Sequence, residues 1–362
     1  MTAEPGAILT IDPAAVVANW RALAARAAPG TAAAVVKADA YGLGASVLAP
    51  ALAEAGCRHF FVATPDEALA LRGRLPGAFL AVLGGLWPGT EGDFIAADIV
   101  PVLNDLDEID RWRAAAGNAG RALPALLHVD TGMSRLGLDA AGLARLAADP
   151  ARLAGIELRY VMTHLLAAEV PDDPANAAQA ARFAAACAML PPAGRSIANS
   201  SGLFLGPTFA SDLARPGAAL WGINPTPGRE NPMRPVLRLR ARVLAVREIP
   251  PGATVGYNAT FTAGRAARIA TAAIGYADGW RRALSNTGSA GFDGARLALV
   301  GRVSMDLTCF DATDHPGVRP GVWLDLIGPG QDVDAVAAAA GTNGYEILTG
   351  LGPRIARRYG PL

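Results

Sequence analysis

Short apolar runs recur along the first two-thirds of the chain, with helix-patterned stretches between them. The runs are Ala32–Val36, His59–Ala63, Phe79–Leu83, Ile99–Leu103, Leu126–Val129, Leu158–Met162, Ile197–Ala198 and Ala218–Trp221. Runs without polar alternation suit strands covered on both faces. Helices are predicted over Pro13–Ala28, Ala45–Ala55, Asp105–Ala116, Ala140–Ala148 and Pro174–Met189. Thr64-Pro65-Asp66-Glu67 opens another: Thr caps, Pro fits the first turn, and the acids suit the positive helix end. Eight short strands alternating with helices are the pattern of a (β/α)8 barrel, with a doubly wound sheet as the alternative.

The pattern changes at the Pro- and Gly-rich stretch 225–232, which reads as a linker. Beyond it, Leu237, Leu239, Ala241 and Val243 alternate with Arg238, Arg240 and Arg242, the period of a half-exposed strand. Further strands are predicted at Ala267–Ile274, Leu297–Val300, Leu307–Phe310 and Val322–Leu326, with one helix near Val333–Ala340. The expected organisation is a barrel over residues 1–228 and a β-rich domain over residues 229–362.

Composition mainly excludes. The chain has 362 residues and a formal net charge of zero. No basic stripe interleaved with aromatics points to nucleic acid. No apolar run approaches the roughly 18 residues of a membrane span. The N-terminal segment, residues 1–5, lacks a signal-peptide layout. Three isolated cysteines, Cys57, Cys187 and Cys309, suit a reducing cytoplasm. No second His or Cys stands at metal-ligand spacing, so no metal is expected.

Lys37 is the one lysine in the sequence. Arginine can replace a plain positive charge, but it cannot condense with an aldehyde. Lys37 follows an apolar run and precedes a glycine-rich turn holding Tyr41, the strand end where a barrel keeps reactive groups. The same rule collects Asp130 to Arg135, Thr163-His164, Asn199-Ser200-Ser201, and Arg215-Pro216-Gly217 entering the eighth strand. The loop 198–202 reads as a phosphate cradle or an ordinary turn. His164 reads as core packing more readily than as a ligand. A buried Arg215 needs an anionic or acceptor partner. Tyr257, in a glycine-flanked loop, could carry a proton only if its pKa fell by about two to three units, roughly 3–4 kcal/mol of stabilisation of its phenolate.

Taken together, an aldehyde-reactive lysine, a phosphate loop, a flat histidine and a barrel-mouth arginine suit pyridoxal 5'-phosphate. The chain resembles the alanine racemases, of the fold-type III pyridoxal-phosphate enzymes. The resemblance rests on the segments 36–44, 129–137, 162–165, 199–200, 215–217, 256–257, 274–279 and 301–306, in family order over nearly the whole sequence. It implies that Lys37 binds the cofactor covalently and acts as base on one substrate face. It implies that Tyr257 of the other subunit of a homodimer acts on the opposite face. Tyr41, Ser200 and backbone near Gly217 are then phosphate ligands, and His164 packs on the ring. Arg215 lies at the pyridine nitrogen and keeps it unprotonated. Arg135 and, across the dimer, Met305 contact the substrate carboxylate, and Tyr276, Arg282 and Asp306 line the entry. The implied activity is interconversion of L- and D-alanine, a peptidoglycan precursor, in the cytoplasm. The only partners implied are a small amino acid and a second copy of the chain.

Two positions depart from the family. His128 stands where many members carry a carbamylated lysine, and Pro353 where a tyrosine often touches the phosphate. The rival readings are a racemase of broader specificity, a fold-type III decarboxylase and a non-catalytic cofactor carrier. The decarboxylase is disfavoured because it calls for a glutamate where Arg215 stands and a cysteine near Met305.

Overall fold

A computed structural model describes residues 4–362. Met1, Thr2 and Ala3, within the segment read for a signal peptide, lie outside the described residues. Consecutive parallel strands run Ala34–Val35, His59–Val62, Phe79–Val82, Ile99–Leu103, Leu123–His128, Ile156–Met162 and Gly194–Ser196, each paired with the next. An eighth, Leu213–Ala214, pairs in parallel with Thr31–Ala32. Backbone hydrogen bonds complete the ring: Ala33 donates to Ala214 at 2.8 Å, Val35 to Pro216 at 3.0 Å and Arg215 to Ala198 at 2.8 Å. The result is a (β/α)8 barrel. Its strands are apolar throughout because they are covered on both sides; Phe60, Phe61, Leu80, Ala81, Leu126 and Leu127 are fully buried.

Two strand expectations need correcting. The seventh strand precedes Ile197–Ala198, and Ala218–Trp221 is a 3-10 turn, closed by Leu220 N–H donating to Gly217 at 2.9 Å. Ala218–Trp221 is apolar because it is buried, and burial alone does not distinguish a strand from a turn. Arg215-Pro216-Gly217 therefore leaves the eighth strand instead of entering it. That puts the segment at the C-terminal rim with the other candidates.

Several barrel helices begin on side-chain caps: Thr64 accepts from Glu67 N–H, Asp105 from Glu108, Asp139 from Gly142 and Asp173 from Ala175.

The described residues fall into two compact units. One comprises residues 17–220 and 224–233; the other holds the N-terminal segment up to Val16, residues 221–223 and residues 234–362. The second unit is organised on the long strand Leu237–Ile249, whose alternation over its first half buries Leu237, Leu239, Ala241 and Val243 and leaves Arg238, Arg240 and Arg242 half-buried. This strand pairs antiparallel with Ala7–Ile11, Ala267–Ala272 and Trp323–Ile327. Arg238 forms a two-point ion pair with Asp325, at 2.5 and 2.8 Å. Ala7–Ile11, inside the segment read as barrel, also pairs in parallel with the last strand, Ala356–Tyr359.

Candidate active site

Lys37 stands where the first barrel strand ends. The four residues after it, Ala38, Asp39, Ala40 and Tyr41, all have left-handed backbone, with φ of 52°, 53°, 54° and 58°. None is glycine, so the run costs on the order of 4–8 kcal/mol. Hydrogen bonds hold it in place. Asp39 Oδ1 accepts from Ala45 N–H at 2.7 Å, Gly44 N–H donates to Asp39 O at 2.9 Å, and Ala40 N–H to Val36 O at 2.9 Å. Burial lowers the Lys37 pKa; Arg135 pushes it the same way and Glu67 opposes.

The turn delivers Tyr41 to the eighth strand's exit. A Cβ at position 217 would collide with the Tyr41 hydroxyl, so only glycine lets the phenol close over this backbone. Burial raises the Tyr41 pKa above its ordinary value, so the phenol stays a donor. Ser200 Oγ accepts from Gly217 N–H at 3.0 Å and from Ala219 N–H at 3.2 Å. Two backbone donors and two hydroxyls thus gather at one place, a set that suits a phosphate.

Arg215 is 4% exposed and donates to Ser196 O at 2.8 Å, to Ser196 Oγ and to Thr163 O at 2.6 Å. Burial draws its pKa down to about 10, so it stays cationic at neutral pH. His164 is pushed down to about 3 by burial and by Arg215, Arg135 and Lys37, so its ring is neutral. Arg135 closes a loop nested on Asp130, whose Oδ1 accepts from Gly132 at 2.8 Å, Met133 at 2.9 Å and Ser134 at 3.2 Å. The barrel rim therefore gathers Lys37, Tyr41, Arg135, His164, Ser200, Arg215 and Gly217. An amine of lowered pKa, a neutral ring, a fixed cation and a phosphate cradle fit pyridoxal phosphate.

The remaining candidates lie in the second unit. Tyr276 N–H donates to Ser304 O at 3.0 Å, and Ala277 N–H to Met305 O at 2.9 Å, which stitches the 275–279 and 304–306 loops together. Arg354 bridges them through Asp278 at 3.0 Å and Asp306 at 2.7 Å. Arg282 starts a 3-10 turn tied to the same loop by Val303 N–H on Ser285 Oγ at 3.1 Å. Tyr257 is 67% exposed on a separate turn whose next residues, Asn258 and Ala259, are also left-handed.

Gln179, Asn104, Glu108 and Glu67 are not singled out by the sequence, yet they bond residues of the rim. Thr131 Oγ1 bonds Thr163 Oγ1 at 2.7 Å, and Gln179 donates to both Thr131 Oγ1 and His164 O at 3.0 Å. His128 Nδ1 meets Asn104 Oδ1 at 2.8 Å, and Asn104 N–H donates to Glu108 Oε2 at 2.8 Å. Asn104 Nδ2 donates to Val102 O, so its Oδ1 accepts and His128 carries its proton on Nδ1. Burial, with Arg215, pushes His128 down to about 4. Glu67 accepts from Ala38 N–H at 2.6 Å and from Ala63 N–H at 2.7 Å. The signal for both glutamates was the same, an acid three residues after a cap, which is too common to single out.

Comparison with known proteins agrees over almost the entire sequence. Residues 11–225 match the model of the alanine racemase N-terminal domain, and residues 236–359 that of the C-terminal domain. An alanine racemase of Acidiphilium cryptum is 60% identical over 96% of this chain and 97% of its own length. One from Rhodospirillum rubrum is 51% identical over 98% and 96%. A crystal structure of the Bartonella henselae alanine racemase with covalently bound pyridoxal phosphate superposes with a TM-score of 0.95. It is 43% identical, covering 98% of this chain and 100% of that one.

Proposed function

The chain belongs to the alanine racemase family, and on that premise we propose that it interconverts L- and D-alanine with bound pyridoxal 5'-phosphate, Lys37 and Tyr257 being the two bases. One observation carries the reading. The sole lysine sits in a strained turn beside a phosphate-type cradle, and burial lowers its pKa. When bound, the cofactor acidifies the substrate Cα–H by drawing its negative charge into the ring.

The chain's own residues do the rest. Lys37 takes or returns the proton on one face, and its lowered pKa leaves a larger fraction of neutral amine near neutral pH. The partner subunit's Tyr257 does the same on the other face, so the working unit is a homodimer whose sites draw on both chains. With the cofactor bound, Tyr41, Ser200 and backbone near Gly217 would hold its phosphate. His164, uncharged, would pack on its ring. Arg215, as a permanent cation, would lie at the pyridine nitrogen and leave it unprotonated. Arg135 and the partner subunit's Met305 receive the substrate carboxylate, while Tyr276, Arg282 and Asp306 border the entry. No carbamate can form at position 128, because the lone lysine is elsewhere. Neutral His128, anchored by Asn104, stands in that place. Pro353 offers no hydroxyl where many members have a tyrosine, so the phosphate would be held less tightly.

The reaction belongs in a reducing cytoplasm, where it either supplies D-alanine for peptidoglycan or degrades it. The three cysteines are free, in keeping with that. No helix among the described residues is long and apolar enough to cross a membrane.

Incubating the purified holoenzyme with L-alanine in D2O tests the reaction. Loss of optical activity with deuterium entering Cα is the expected result. Release of carbon dioxide, or intact chirality, sinks it.

A further inference from the structure

Left-handed backbone in four consecutive non-glycine residues persists only when the surroundings enforce it. Around Lys37 much of that enforcement comes from the next barrel strand. Glu67, in the first turn of the helix Pro65–Arg72, is rooted by its own N–H on Thr64 Oγ1 at 3.3 Å. One carboxylate oxygen accepts from Ala38 N–H at 2.6 Å, the first residue of the left-handed run. The other accepts from Ala63 N–H at 2.7 Å, just past the second barrel strand. A single carboxylate thus ties two adjacent strand exits together at the residue next to Lys37.

Glu108 offers a parallel within the same fold, its carboxylate also reaching a backbone group outside its own helix start, at Leu86. It occupies the same helix position after Asp105 and accepts from the N–H just before its cap, Asn104, at 2.8 Å. Helix capping therefore accounts for one carboxylate oxygen in each case. The reach of Glu67 to Ala38 goes beyond what capping needs.

We propose that Glu67 is a positioning residue for the reaction, clamping the left-handed turn so that Lys37 and Tyr41 keep their places at the barrel rim. This rests on the reading of Lys37 as the cofactor-bearing amine. The charge of Glu67 also opposes the fall in the Lys37 pKa, so the clamp acts on the amine both by geometry and by field.

Glu67→Gln tests the clamp, since glutamine keeps one acceptor and sets an NH2 against the second backbone N–H. In the holoenzyme, cofactor release on dialysis is expected to quicken at least tenfold, and the pH titration of the visible Lys37–cofactor band to move, while KM for alanine changes by less than about threefold. A role in folding alone would shift the melting temperature and leave that titration in place. Adding Ala38→Gly is expected to recover part of the loss, because glycine adopts φ > 0 unaided. Wild-type cofactor retention and titration in Glu67→Gln overturn the proposal, as does a loss that Ala38→Gly leaves untouched. If Glu67→Gln does not fold, the double variant decides: a folded, cofactor-retaining protein supports the clamp and an unfolded one overturns it. Borohydride reduction of wild-type holoenzyme, with peptide mapping, separates the two readings. Label on Lys37 beside an unaffected Glu67→Gln sinks only the clamp; absence of label there sinks the Lys37 assignment.

Discussion

Ser200, Arg215 and Tyr41 are 5%, 4% and 7% exposed, whereas Tyr257, Met305 and Tyr276 are 67%, 53% and 43% exposed. The first group sits at the ends of barrel strands and is fixed by buried hydrogen bonds. The second rides on short 3-10 turns and loops facing water. On the proposed reading the barrel rim is the half of the site that one chain builds by itself. A phenol as open as Tyr257 is not enclosed by its own chain, and the proposed reading has a second copy cover it.

Mixing variants tests this contrast most severely. Lys37→Arg keeps the charge but cannot condense, so its activity should fall by about 10^4-fold or more. Tyr257→Phe should lose about 10^2- to 10^4-fold, with a larger deuterium isotope effect for one alanine enantiomer than for the other. Refolding the two variants together should restore about a quarter of wild-type activity, since half the dimers carry one intact site of two. No recovery from two folded variants would place both bases in one chain.

Gly217→Ala addresses the barrel side alone. The added methyl displaces the Tyr41 hydroxyl, and cofactor affinity, read by equilibrium dialysis, should drop by roughly tenfold to a hundredfold. Unchanged affinity would detach Tyr41 from the phosphate.

A smaller effect lies in the pH dependence of stability. Burial raises the Glu108 pKa to about 7 from an ordinary 4.5. Between those values the folded chain holds a proton that the unfolded chain has released, so this group makes stability fall as pH rises. Melts of wild type and Glu108→Gln should diverge across that window in favour of glutamine, by about 1–3 kcal/mol at its upper end. Parallel curves would show that Glu108 is ionised when folded. Smallest of all, Asp306→Asn loosens an exposed ion pair with Arg354 and should leave a thermal melt almost unmoved. A larger loss would mean that the loop cluster is as firmly built as the rim.

Much of the barrel was legible because parallel strands buried on both faces read as plain apolar runs. The eighth strand was not: Leu213–Ala214 is two residues long, and the richer apolar run at 218–221 drew attention from it. Ala7–Ile11 escaped for another reason. Both its partners lie more than 200 residues away in sequence, at Leu237–Ile249 and Ala356–Tyr359, and local pattern does not encode a distant neighbour. At the site, residues that end strands stood out by position, and the unique lysine by arithmetic. Glu67, Asn104 and Glu108 did not, because their work is done through the backbone groups they touch.

The strand Ala7–Ile11 also bears on the order of synthesis. It is made more than 200 residues ahead of both partners, so one of its edges waits for Leu237–Ile249 and the other for Ala356–Tyr359. The barrel can close while this strand is still unclaimed, an apolar ribbon able to pair with a neighbouring nascent chain. Premature termination before Ala356 leaves that ribbon half covered, so truncated products are predisposed to aggregate.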